Sequence, residues 1–295
     1  MLNKIVTLND GSKLEVGLTG DPASKVIMLP IAKKSVFGQE AETLRLWGVD
    51  PELGKNVVEG LSDKFQVLYF DYEGHLFSNP QPDLLTPENI SMDLLRIADE
   101  MKVNTFSYYG YSWLALVGLQ LAIRTNRLES LVMGGFPPYE GPYREMMVVT
   151  TKTYEQALNN QNTSNYQLEE NISPEEFDWD DLQVTIDPKQ TKQFVTMYKN
   201  LMDFDDKKIQ GRLNLPKLTF AGDKDTIAYG ENFGNVTVDI SGLLKINEDV
   251  LKHFGWDVHL LCGENMDHTK AMQPETVLPL IKPWFIENLL NKFSL

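Results

Sequence analysis

Cysteine is almost missing from this chain. Cys262 is the only one in 295 residues, so no intrachain disulfide can form, and a reducing compartment suits the composition. Positive charge is also scarce. Twenty-seven Lys and Arg face 42 Asp and Glu, for a net charge of −15, and no Lys/Arg-rich run occurs. Such a surface repels phosphates, so no nucleic-acid partner is expected. No apolar run approaches the roughly 18–20 residues of a membrane span, and "MLNKIVTLNDGSKLEV" has no apolar signal core. The expectation is a cytoplasmic protein without membrane contact. Zinc spacing, a P-loop and a dinucleotide fingerprint are all missing. The acidic run "EEFDWDD" lacks regular ligand spacing and reads as a solvated face rather than a calcium site. No metal and no cofactor are expected, and a small-molecule substrate is the expected partner. Oligomeric state is not encoded in any pattern here.

What is present is an alternation. "KIVTL" and "KLEVGL" flank the turn sequence "NDGS" and predict a hairpin. "KVIMLP" (Lys25–Pro30) and "FQVLYFDY" (Phe65–Tyr72) are continuous apolar runs of buried strands. Between them, Glu52–Asp63 reads as a helix. "TPENISMDLLRIADEMKV" opens with an N-cap threonine and a first-turn proline, then shows helical spacing. "NTFSYYGY" and "LESLVMGGFPP" predict two more strands, "LPKLTFAG" (Leu215–Gly222) and "WDVHLLCG" (Trp256–Gly263) another two, and Pro274–Phe293 a final helix interrupted by Pro279 and Pro283. Strand and helix in alternation imply an α/β fold, a mostly parallel central sheet with helices on both faces. From Tyr139 to about Arg212 the texture turns polar, acidic and helical. The predicted organisation is a core of 1–138 and 213–295 with a helical cap inserted at 139–212 over the carboxyl ends of the strands.

Chemistry points to "YYGYSWLALVGLQLA" (Tyr108–Ala122). Gly110-x-Ser112-x-Leu114 is one glycine short of G-x-S-x-G, in which a sharp strand-to-helix turn lifts a serine above the sheet. Gly110 is small as that turn needs, and Leu114 is not. Ala115, Gly118 and Ala122 form a small-residue stripe that lets the helix approach the sheet. From these residues alone Ser112 is either a nucleophile or a strand-end serine. A nucleophilic serine needs a base and an acid that orients the base. Of four histidines, His75 precedes the serine, His253 falls in a helix pattern and His259 in a strand. His268 lies in the loop "CGENMDHTKAM", beyond a strand's carboxyl end. Asp225, just past a strand in "LTFAGDKDTIAYG", is the acid candidate, with Asp223 as the alternative.

Four segments in order resemble the α/β-hydrolase fold superfamily. "YFDYEGHLFSNP" (Tyr69–Pro80) is similar to its D-x-R-G-x-G-x-S segment, and "YGYSWLALVGLQLAIRTNRLESLVM" to its elbow, helix and next strand. "LPKLTFAGDKDTI" is similar to its acid loop and "GENMDHTKAMQPETVLPLIKPWF" to its histidine loop and last helix. The resemblance implies an α/β-hydrolase fold with a Ser112–Asp225–His268 triad. It also implies an oxyanion hole from the backbone N–H groups of Trp113 and Ala32, or Ile31 if the register shifts by one. Departures are Pro30-Ile31 where the family has His-Gly, Glu73 for its arginine, Leu76 for the next glycine and Leu114 for the elbow's second glycine. The implied activity is cleavage of small or medium uncharged carboxylic esters through an acyl-enzyme. The alternatives are an aminopeptidase of the proline iminopeptidase type, whose "SW" this chain shares, and a non-catalytic small-ligand binder. Tyr139, Tyr143, Met146 and Met147 are expected to line the substrate pocket or else to pack cap against core. His75 reads as structural or pocket-lining, Asp267 as tuning its loop or facing solvent, and Cys262 as an inert buried thiol.

Overall fold

The computed structural model describes residues 2–161 and 187–291. The predicted hairpin is β1 (Leu2–Thr7) and β2 (Lys13–Thr19), paired antiparallel from Leu2↔Leu18 to Thr7↔Lys13. Its turn closes on Gly11, at φ 86°, and on Asp10, whose carboxylate accepts from the Ser12 amide and hydroxyl.

The remaining sheet strands are β3 (Val26–Leu29), β4 (Gln66–Phe70), β5 (Phe106–Tyr111), β6 (Leu128–Gly134), β7 (Lys217–Gly222) and, after two short strands, β10 (Trp256–Leu261). The short strands, β8 (Thr226–Ala228) and β9 (Thr237–Asp239), pair only with each other. The large sheet has the order β1-β2-β4-β3-β5-β6-β7-β10. Every pairing from β4 to β10 is parallel, and only β1–β2 and β2–β4 are antiparallel.

Alternation along the strands builds two cores. Met28, Leu68, Tyr108, Leu131 and Met133 point to one face, where helices Pro87–Glu100 and Trp113–Ala122 cover them. Ile27, Leu29, Val67, Tyr109 and Val132 point to the other, under helices Leu53–Ser62 and Pro274–Phe285. A strand buried on both faces has no polar register to keep, which is why these segments read as unbroken apolar runs. Each such side chain contributes about 1.5–3 kcal/mol by leaving water. Local signals hold as well. Thr86 Oγ1 accepts from the Asn89 amide ahead of Pro87.

Between β6 and β7 run helices Tyr143–Gln161 and Pro188–Asn200, packed against each other. The acidic run "EEFDWDD" lies outside the described residues. The last helix is α-helical over Pro274–Phe285 and then widens into a π turn at Ile286–Leu290. Pro279 and Pro283 lack the amides a regular helix would use there. Among the described residues no helix is long and apolar enough to cross a membrane, and no three His, Cys, Asp or Glu gather as metal ligands.

Cys262 departs from expectation. It is exposed, because β10 is an edge strand whose Asp257 and His259 face solvent, so its end is not enclosed.

Candidate active site

β5 delivers the chain to Ser112, which sits at φ 55°, ψ −131°, and the helix begins at Trp113. A non-glycine residue in this region is strained by about 1–3 kcal/mol. The turn is held because the Ser112 amide donates to Gly134 O at 2.8 Å, tying it to β6. Gly110 is required. A Cβ there would lie 2.3 Å from Leu114 O and 2.5 Å from Leu114 C. Gly118 is required too, since its Cβ would meet the Tyr108 ring at 2.6 Å. Leu114 meets no such limit. Its side chain is buried in the core cluster and reaches the wall of the cavity over Ser112. The elbow therefore tolerates leucine two residues after the serine but not a side chain two residues before it.

Asp225 follows β7 and is fully buried. Its carboxylate meets His268 Nδ1 with both oxygens, at 3.0 and 2.9 Å. Asp223 does not reach His268. Its amide donates to Leu261 O, and one carboxylate oxygen is buried without a partner. His268 opens the short helix His268–Ala271, and Asp267 caps that helix by accepting from the Lys270 amide. Two residues that sequence reading passed over hold the imidazole in place. Tyr111 donates its hydroxyl to His268 O at 2.9 Å, with ring centroids 5.0 Å apart. Burial pushes the Tyr111 hydroxyl well above its usual pKa, so it stays a donor. Gly135, at φ 63°, lies so close that a Cβ would stand 2.9 Å from His268 Cε1.

Ser112 and His268 border one cavity of about 390 Å³. Its walls are mostly apolar, with Pro30, Ile31, Leu53, Leu114 and Met272 among them. No hydrogen bond joins Ser112 Oγ to His268 among the described residues; such contacts often tighten only when substrate is bound. The Trp113 amide is the first N–H of its helix and has no intrahelical acceptor. On the loop after β3, Ile31 rather than Ala32 reaches this cavity. Ala32 lines an adjoining cleft of about 370 Å³, and its carbonyl packs on Gly54.

Glu73 stands on the cavity wall. Its Oε1 accepts from Trp113 Nε1 at 2.6 Å. It is open to solvent yet ringed by the concave surface. That partial desolvation raises its carboxyl pKa, Asp71 raises it further, and the indole N–H opposes both. Trp113 also stacks edge-on against Phe194 of helix Pro188–Asn200, with centroids 5.3 Å apart.

The four residues expected to line the pocket or to pack cap against core make these contacts. Tyr143 packs on Phe136 and Phe204, Tyr139 on Phe254, and Met146 and Met147 lie against the core cluster. None borders the Ser112 cavity. Tyr143 instead borders a separate groove of about 770 Å³ with Glu140 and Asp205. His75 is buried outside the cavity, with Nε2 2.8 Å from Ser12 Oγ.

Neither a protein-family model nor a curated protein matches this sequence. Solved structures do match. A carboxylesterase from the Thaumarchaeon Nitrososphaera gargenis aligns over 97% of this chain and 98% of its own, with TM-score 0.61 and 13% identity. A thermophilic esterase from Thermogutta terrifontis aligns over 98% and 99%, with TM-score 0.56 and 15% identity. A hydrolase from Pseudomonas aeruginosa aligns over 97% and 98%, with TM-score 0.55 and 16% identity. At these identities the likeness is one of architecture. The chain has the α/β-hydrolase fold, with a mostly parallel eight-stranded sheet and helices around it.

Proposed function

We propose that this protein is a serine hydrolase that cleaves small or medium carboxylic esters. One observation carries the reading. A serine held in a strained strand-to-helix turn shares an apolar cavity with a histidine whose Nδ1 is gripped by a buried carboxylate. In the proposed reaction, His268 Nε2 takes the Ser112 hydroxyl proton as Oγ attacks the acyl carbon. The Trp113 amide and a loop amide hold the oxyanion, and Ile31 is better placed than Ala32 to supply the second. Collapse breaks the ester C–O bond, and the leaving alkoxide takes the proton from His268. Water then repeats the sequence on the acyl-enzyme and releases the acid. Asp225 keeps the imidazole in the tautomer that leaves Nε2 free to accept. The helices between β6 and β7 act as the cap of a segment spanning 139–212.

A fluorophosphonate probe should label the folded protein, and a panel of p-nitrophenyl esters should be hydrolysed. Ser112→Ala should abolish both. A folded protein that takes no label and turns over no ester is a binder on this scaffold. Efficient release from a prolyl naphthylamide that depends on Ser112 would make it a peptidase.

A further inference from the structure

Among the described residues Glu73 is the one carboxylate on the wall of the Ser112 cavity, and none of their Lys, Arg or His side chains forms an ion pair with it. Among the described residues its polar contact is the Trp113 indole N–H, bound to Oε1. The nearby basic group, Lys34, lies 3.7 Å from Asp71 rather than on Glu73. Residues 162–186 contain no Lys, Arg or His. We propose that Glu73 is a specificity residue, and that its free oxygen, Oε2, receives an ammonium group carried by the substrate. This rests on the ester-hydrolase reading and names the class of ester.

The argument is one of desolvation. A neutral substrate in this cavity strips water from an exposed carboxylate and returns nothing. An anionic substrate adds repulsion. An ammonium group replaces the lost water with an opposite charge. Ring surface suits the same ligand, since Trp113 borders the cavity and Phe77 the adjoining cleft beside Glu73. Desolvation, the main cause of the raised carboxyl pKa, acts in the same direction. The net charge of −15 concentrates cations at the mouth. This revises the expectation of an uncharged ester. The carboxylate that matters comes from the helix after β4.

The test compares isosteres. Acetylcholine and 3,3-dimethylbutyl acetate have the same shape and differ in one charge. The wild-type kcat/KM should favour the cation by roughly tenfold or more at low salt. Glu73→Gln keeps an oxygen for Trp113 Nε1, so its melting temperature should stay close to wild type. It should bring the ratio of the two esters close to one. A wild-type ratio of one or less overturns the proposal without any variant, and so does a ratio that survives Glu73→Gln. If neither ester is cleaved, the label and the p-nitrophenyl esters decide the hydrolase reading, and calorimetry decides the cation site by itself. Choline binding tighter than its isostere 3,3-dimethylbutan-1-ol in the wild type, but not in Glu73→Gln, upholds the site. Equal binding of the two in the wild type refutes it.

Discussion

His268 Nδ1 stands 3.0 Å from one carboxylate oxygen of Asp225 and 2.9 Å from the other, and that carboxylate is sealed from solvent. The pair joins the loop after β7 to the loop after β10. In the proposed mechanism it is the contact through which the rest of the fold governs Ser112.

Asp225→Asn should keep the shape and remove the charge. An asparagine offers its N–H₂ to Nδ1 as readily as its oxygen, so the imidazole loses its fixed tautomer. Ester hydrolysis should fall by on the order of 10³–10⁴, as when the acid of a comparable triad is neutralised. Steady-state kinetics on a p-nitrophenyl ester measures this. A loss under tenfold would remove Asp225 from the machinery.

Tyr111→Phe tests positioning. It deletes the hydroxyl that donates to His268 O and leaves the ring. Stability should drop by about 0.5–1.5 kcal/mol, since the part-buried His268 carbonyl loses its donor. The kcat should fall several-fold with KM little changed, because the base loses orientation and the pocket loses nothing. A change in KM alone would argue against this role.

The cavity walls and the cap contacts should respond differently. Leu53→Trp narrows the cavity over Ser112, so it should penalise longer acyl chains more than acetate. Met147→Ala should lower the melting temperature, by about 1 kcal/mol of stability, and leave the acyl-chain ranking as it was. Ranking an ester series in both variants separates the two outcomes.

His75 makes stability depend on pH. Burial lowers its pKa below the usual 6.5, against the pull of Asp10, Asp93 and Asp71. The unfolded chain therefore binds this proton at a higher pH than the folded one. The contribution is fully present above about pH 6.5 and is lost as pH falls through the lowered folded value. His75→Gln keeps a partner for Ser12 and removes the titration. The melting temperature of the wild type, relative to this variant, should fall on acidification. Parallel curves would refute it.

Much of the fold was legible because its signals are local. Continuous apolar runs mark strands covered on both faces, "NDGS" marks the hairpin, and Thr86-Pro87 marks a helix start. Ser112, Asp225 and His268 were legible as candidates because each follows the carboxyl end of a strand. The cavity walls were not. Ile31, Leu53 and Met272 come from distant segments, and helical periodicity reports burial without saying which void a side chain faces. Cys262 was misread because strand order, and so which strand is an edge, cannot be taken from one apolar run. Tyr111 and Gly135 clamp the imidazole only because β5, β6 and β7 are neighbours. Leu114 misled because the two flanks of the elbow look symmetric in sequence, while only Gly110 faces backbone.

The backbone at Ser112 sets reactivity against thermostability. At φ 55° a glycine would be at ease where serine is not. Ser112→Gly should therefore raise the melting temperature even after the added freedom of its unfolded chain is counted, by about 0.5–2 kcal/mol of stability. The inactive protein would be the sturdier one. A selection scheme that rewards heat resistance alone would discard the serine, and one that demands turnover would have to find its stability elsewhere in the molecule.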